Sequence, residues 1–205
     1  MDEIFFLKGL MLGFVIAAPT GPIGILCARR TLTHGRRAGF ASGMGAATAD
    51  MIYGFIAASG LAFISHLLIA YHFWLRLAGG ALLCILGART FTSKTADACA
   101  KRTGRMYAGM FTSTFFLTLT NPMTIFSFGA VFTGFGLVGT RGSILSAGTL
   151  VFGVFFGSAI WWSFLIGVVT LLKQRFTERH VIWVNRIAGM VIAGSGVLAL
   201  FTLIW

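Results

Sequence analysis

GFASGMGAATADMIYGFIAASGLAF, residues 39–63, carries a single charge, Asp50, near its middle. At a rise of about 1.5 Å per residue, a helix of this length crosses a hydrocarbon layer of roughly 30 Å. A carboxylate at the centre of such a span costs ~2.5–3.5 kcal/mol on insertion scales, which marks it as a functional group with a job inside the membrane. Its helical neighbours Gly43, Ala46, Ala47, Gly54 and Ala57 are small, and only Tyr53 on that face is large. Small residues let other helices approach closely, so Asp50 is expected to face a bundle interior and not lipid.

The rest of the chain repeats the pattern. Of 205 residues 57% are apolar and 10% charged, a composition outside the range of soluble domains. Six runs are long enough to span: Ile4 to Cys27, Gly39 to Leu68, Phe73 to Ala88, Tyr107 to Leu137, Leu145 to Leu172 and Val181 to Ile204. Little remains for a soluble domain, so function is expected within the helices and their short connections. The first run is read as a retained span and not a cleaved signal, because Asp2 and Glu3 stand where a signal has basic residues and a double arginine follows Cys27.

A net charge of +11 could be a nucleic-acid footprint, but its placement argues for topology. Arg29, Arg30, Arg36 and Arg37 follow the first span; Arg89, Lys94, Lys101, Arg102 and Arg105 follow the third; Lys173, Arg175, Arg179 and Arg186 follow the fifth. The alternate connections hold only Arg76 and Arg141. The positive-inside rule makes the basic loops cytoplasmic and puts both termini on the periplasmic or extracellular side. Anionic lipid headgroups suit the same residues, and no nucleic-acid partner is expected.

The two halves echo each other. An offset of 100 carries Gly9 and Pro22 onto Gly109 and Pro122, and an offset of 110 carries Arg76-Leu77-Ala78-Gly79 onto Arg186-Ile187-Ala188-Gly189. A duplicated unit of three spans enters the membrane from opposite sides, as in many secondary transporters. The expected fold is an all-α integral membrane protein with six transmembrane helices as two inverted three-helix repeats. It forms one transporter domain, with repeats at 1–91 and 106–205 joined by a cytoplasmic basic loop at 92–105.

Pro19-Thr20-Gly21-Pro22 and Asn121-Pro122 fall inside the first and fourth spans. Proline removes a donor and clashes one turn back, and glycine takes torsions other residues resist, so both helices are expected to break. Broken helices at matching places in two halves point to a substrate site, with the freed backbone lining a cavity. The candidate substrate- and ion-binding set is therefore Asp50, Tyr53, Pro19, Thr20, Gly21, Pro22, Thr118, Asn121, Pro122 and Trp161. Tyr53 could hold a carboxylate or substrate, or simply pack. Thr114 and Thr118 could line a path, or bond only to their own helix carbonyls. Gly153 and Gly157 read as close helix packing. If the repeat sets Ser158 beside Asp50, Trp161 and Trp162 could wall the site. Cys27, Cys84 and Cys99 are scattered singly, and the four histidines have no partner at a ligand spacing, so neither a metal nor a cofactor is expected. No nucleophilic triad, carboxylate pair or phosphate-cradling loop argues for an enzyme.

Taken together, these residues resemble the LysE-type amino-acid exporter family, whose wider group includes threonine and homoserine exporters. Pro19-Thr20-Gly21-Pro22 leads the match, followed by Leu32-Thr33-His34-Gly35, Gly39, Ser42-Gly43-Met44-Gly45 and Ala49-Asp50-Met51-Ile52-Tyr53. Leu77-Ala78-Gly79-Gly80, Leu86-Gly87 and Thr120-Asn121-Pro122 complete it. Family members often have Pro-Gly-Pro where this chain has Pro-Thr-Gly-Pro. The resemblance implies export of amino acids or similar small amphoteric solutes across the bacterial inner membrane, with protons as the coupling ion and no use of ATP; a homo-oligomer is left open. On this reading a substrate sits between the broken helices: a half-helix start suits its carboxylate, and Asp50 suits its ammonium group or a proton. The alternatives are an inorganic cation transporter of the wider superfamily and a membrane protein with no transport role.

Overall fold

The computed structural model describes residues 2–18, 21–58, 72–92, 104–121, 124, 127–128, 144–172 and 178–201. Among these residues it is all helical. Seven helices run in order: α1 (Asp2–Ala17), α2 (Gly21–His34), α3 (Arg36–Ala58), α4 (His72–Thr92), α5 (Gly104–Leu119), α6 (Ile144–Leu172) and α7 (Glu178–Phe201). Two are long and apolar enough to cross a membrane alone, over Leu145–Leu172 and Ile182–Phe201, and the bent α1–α2 pair makes a third if its two halves count as one span. The Gly, Ala, Ser and Thr content of α3 suits close packing more than contact with lipid.

The first apolar run is not one continuous helix. α1 ends at Ala17, α2 begins at Gly21, and the pair is bent by 83°. Gly21 takes φ +42° with open space around its Cα, so the demand for glycine comes from the backbone. Pro22 falls in the first turn of α2, where its missing N–H forfeits no helical bond. Pro19 and Thr20 lie outside the described residues. α5 stops at Leu119, two residues short of Asn121-Pro122, and Asn121 is already non-helical. Pro122 itself and most of the stretch from 123 to 143 lie outside the described residues.

At its other end α2 runs on to His34, well beyond the expected end of the span at Cys27. Gly35, at φ +91°, is the entire connection to α3. Its N–H donates to the Thr31 carbonyl at 3.0 Å, and its own carbonyl accepts from Ala38 N at 3.0 Å. One residue thus terminates α2 in the left-handed manner and opens α3. This corrects the sequence expectation that Arg29 and Arg30 belong to a cytoplasmic loop: both lie on α2 and are buried.

The helices pack through small residues, and the contacts fix their directions. Phe6 meets Phe156 and Phe14 meets Trp161, so α1 and α6 run parallel. Gly9 and Gly13 lie against the α6 backbone at Leu150 and Val154, while Gly153 and Gly157 lie against the α1 backbone at Phe6 and Leu10. Two G-x-x-x-G faces interlock here. Along α3, Gly39 meets Ile166, Gly43 meets Trp162 and Gly54 meets Val154, so α3 and α6 are antiparallel. Gly45 meets Phe111 and Tyr53 meets Leu119, which makes α3 and α5 parallel. Gly80 meets Leu200, Gly87 meets Ala193 and Phe91 meets Gly189, which makes α4 and α7 antiparallel.

One core cluster joins α2, α3, α4, α5, α6 and α7 around Leu26, Cys27, Ala46, Leu83, Leu117, Trp162 and Ile192. A second joins α1, α3 and α6 around Leu12, Tyr53, Leu150 and Val154. The outer faces are apolar too. Leu7, Met11 and Val15 on α1 and Phe152, Phe156, Ile160 and Phe164 on α6 are exposed at helical spacing. Such stripes suit acyl chains, as in a multi-pass membrane protein.

Candidate functional site

Asp50 sits mid-helix on α3, 4% exposed, against α6. The Ser158 hydroxyl donates to its Oδ2 at 2.6 Å, and the Trp162 indole Nε1 donates to Ser158 Oγ at 3.1 Å. An indole N–H can only donate, so it occupies a lone pair of Ser158 and turns the serine proton towards the carboxylate. The chain has one polarity, Trp162 to Ser158 to Asp50. It leaves Oδ1 without a hydrogen bond among the described residues, and no described cation pairs with Asp50. The local sequence makes this approach possible, because Gly43 lies on Trp162 and Gly54 on Val154, one turn or more to either side of the carboxylate.

The other candidates fall around this centre with varied roles. Tyr53 is buried, but its hydroxyl donates to the Leu119 carbonyl on α5 and not to Asp50. Leu119 closes α5, so its carbonyl is one of the orphans of a helix end, and Tyr53 caps it. The tyrosine ring packs 5.5 Å from Phe128. Thr118 donates to the Thr114 carbonyl at 2.9 Å, the local bond that threonines in membrane helices favour. Asn121 N donates to the Thr118 carbonyl at 3.2 Å, and the Asn121 carbonyl accepts from Thr124 N at 3.1 Å. Trp161 stacks edge-on to Phe14 at 5.4 Å, one turn before the end of α1, and its buried Nε1 has no partner among the described residues. Gly21 and Pro22 open α2, whereas Pro19, Thr20 and Pro122 lie outside the described residues.

A second polar centre was not expected from the sequence. Arg29 Nε donates to Asn185 Oδ1 on α7 at 2.9 Å, and its Nη1 donates to Thr90 Oγ1 on α4 at 3.2 Å. Arg30 turns the other way, towards α3 and α5. Its Nη1 meets Ser42 Oγ at 2.9 Å, Thr114 Oγ1 at 2.8 Å and the Met110 carbonyl at 2.9 Å, and its Nη2 meets Ser113 Oγ at 2.8 Å. The two arginines thereby tie α2 to four other helices. The signal in the sequence was Gly35, a helix-stop residue that places both arginines before the end of α2.

No curated protein and no solved structure matches the chain. A family model described as LysE type translocator does match, over residues 14–202. That span takes in the end of α1 and the break after it, the α3 carboxylate, the serine and tryptophan that face it and both arginines. The chain belongs to the LysE type translocator family.

Proposed function

We propose that this protein exports amino acids or similar small amphoteric solutes in exchange for protons, with Asp50 binding the proton or the substrate ammonium group. Membership of the translocator family supports a membrane exporter of small solutes over an enzyme. One observation carries the finer reading: a carboxylate 4% exposed, in mid-helix, with no cation beside it and one oxygen unbonded among the described residues. A buried carboxylate without a counter-charge is costly, and binding a proton or an ammonium group removes that cost. The inorganic-cation alternative draws less support, because among the described residues no group of three or more His, Cys, Asp and Glu side chains could hold a metal ion.

The six-span inverted repeat belongs to the same proposal. Its support is directional. In six alternating crossings, the first and fifth run parallel, as do the second and fourth, while the second and fifth and the third and sixth oppose each other. The pairs α1 and α6, α3 and α5, α3 and α6, and α4 and α7 follow that scheme. Asp50 and Ser158, at equivalent places in such a repeat, then meet where the two halves face each other. The bacterial inner membrane, with both termini outside, is the setting that the basic connections favour.

The test is efflux from proteoliposomes loaded with the twenty common amino acids, with and without an imposed pH gradient, wild type beside Asp50→Asn. Wild type is expected to lose one class of amino acid when the gradient is imposed. Asp50→Asn is expected to insert and fold but to lose gradient-driven export. Export by Asp50→Asn at the wild-type rate would remove Asp50 from the coupling.

A further inference from the structure

Arg30 is a buried cation held on one edge only. It is 7% exposed, and among the described residues no carboxylate pairs with it. Its four bonds go to neutral oxygens. The hydroxyls that receive it are themselves fixed: Ser42 donates to the Ala38 carbonyl at 3.0 Å, and Ser113 and Thr114 donate to the Met110 carbonyl at 3.1 and 2.9 Å. Each hydroxyl proton is therefore committed to its own helix, and the lone pairs are turned to the guanidinium. α3 and α5 together set the plane of that group.

The distribution of bonds over the guanidinium is uneven. Nη1 serves three acceptors, Nη2 serves one, and Nε serves none. Nε makes no bond among the described residues, and Nη2 has a second N–H beyond the one that Ser113 receives. They share the edge of the planar group that meets a carboxylate through two parallel bonds. A buried guanidinium with no counter-charge and donors to spare is costly unless an anion or water takes them. Here the anchored edge is complete and the opposite edge is open.

We propose that the open Nε/Nη2 edge of Arg30 receives the carboxylate of a small solute entering from the α2–α3 end of the bundle. This rests on the export reading, in which that end is cytoplasmic. Ser42, which fixes Arg30, lies eight residues before Asp50 on α3, a rise of about 12 Å. The α-carboxylate and α-ammonium of one amino acid cannot bridge that distance. Arg30 is therefore a separate, earlier station: it captures the anionic end of the solute before the ammonium end reaches Asp50.

The test uses the purified full-length protein in detergent. Its unfolding midpoint is followed through the tryptophans while acetate replaces chloride at constant ionic strength and pH. Wild type is expected to be stabilised by acetate, Arg30→Gln to lose that response, and Arg30→Lys to need at least tenfold more acetate because a point charge lacks the fork. If Arg30→Gln fails to fold, the Arg30→Lys comparison still decides. An acetate response absent from wild type, or unchanged in Arg30→Lys, would overturn the proposal. Stabilisation through Arg30 by phosphatidylglycerol but not by acetate would make a lipid headgroup the occupant and also overturn it. In proteoliposomes, a wild type that exports no amino acid would sink the export reading without altering the acetate result. A wild type that exports, beside an Arg30→Gln with unchanged KM for entry from the α2–α3 side, would end the capture role.

Discussion

Replacing Gly13 by alanine should destabilise the protein, whereas the same change at Gly167 should not. A Cβ on Gly13 would lie 2.8 Å from the Val154 carbonyl carbon and Cα, and closer still to the carbonyl oxygen. Carbon atoms in good contact stand about 3.5–4.0 Å apart, so α1 and α6 must separate by roughly 0.7–1.2 Å. A gap of that size forfeits a quarter to a half of the attraction of each atom pair; over roughly 40 pairs at ~0.1–0.2 kcal/mol, a loss of one third amounts to about 1.3–2.7 kcal/mol. Alanine returns up to about 1 kcal/mol of helix propensity, leaving a net loss of at least about 0.3–1.7 kcal/mol. At Gly167 and Gly148 nothing stands within 4 Å of the added atom, so only the propensity term remains, and the change should be neutral or stabilising by up to ~1 kcal/mol. Reversible unfolding in mixed micelles with increasing SDS, read by the fluorescence of the five tryptophans, measures both signs in one assay. A Gly13→Ala midpoint at or above that of wild type would refute the interlocked packing of α1 on α6.

Two further outcomes come from the geometry around the break and the carboxylate. Gly21→Ala should cost about 1–2 kcal/mol, because a Cβ is strained at φ +42° although nothing crowds it; Gly104→Ala, with open space and no positive φ, is the control in the same micelle titration. Ser158→Ala removes the hydroxyl between Trp162 and Asp50 and leaves two buried polar groups unpaired, so a loss of about 1–3 kcal/mol is expected. The Ser158→Ala/Trp162→Phe double variant should then cost less than the sum of the two single ones. Strict additivity would mean that the chain does not act as a unit.

Much of the fold was legible because small residues and prolines act locally. Gly153 and Gly157 announced a close crossing, the Pro-Thr-Gly-Pro run announced a broken first helix, and the isolation of Asp50 in an apolar run announced an inward-facing carboxylate. Ser158 became a candidate only through the repeat, since nothing near it in sequence points across 108 residues to Asp50. The arginine centre was missed for a physical reason. Ala-Arg-Arg-Thr-Leu-Thr-His reads as the polar edge of a span, and the oxygens that bury Arg30 come from 12 to 84 residues away. Tyr53 stood out as the one large residue near Asp50, but its partner, the Leu119 carbonyl, exists only because α5 ends there.

With Gly35 as the sole link between α2 and α3, the joint between these helices has no slack. Adjacent Cα atoms across a trans peptide keep a fixed spacing of about 3.8 Å, so a tilt of α2 about the break at Gly21 drags the first turn of α3 with it. The half-helix that begins at Gly21 and the helix that holds Asp50 against Ser158 are thus joined end to end: His34, the last residue of one, and Arg36, the first of the other, stay within the reach of a single residue.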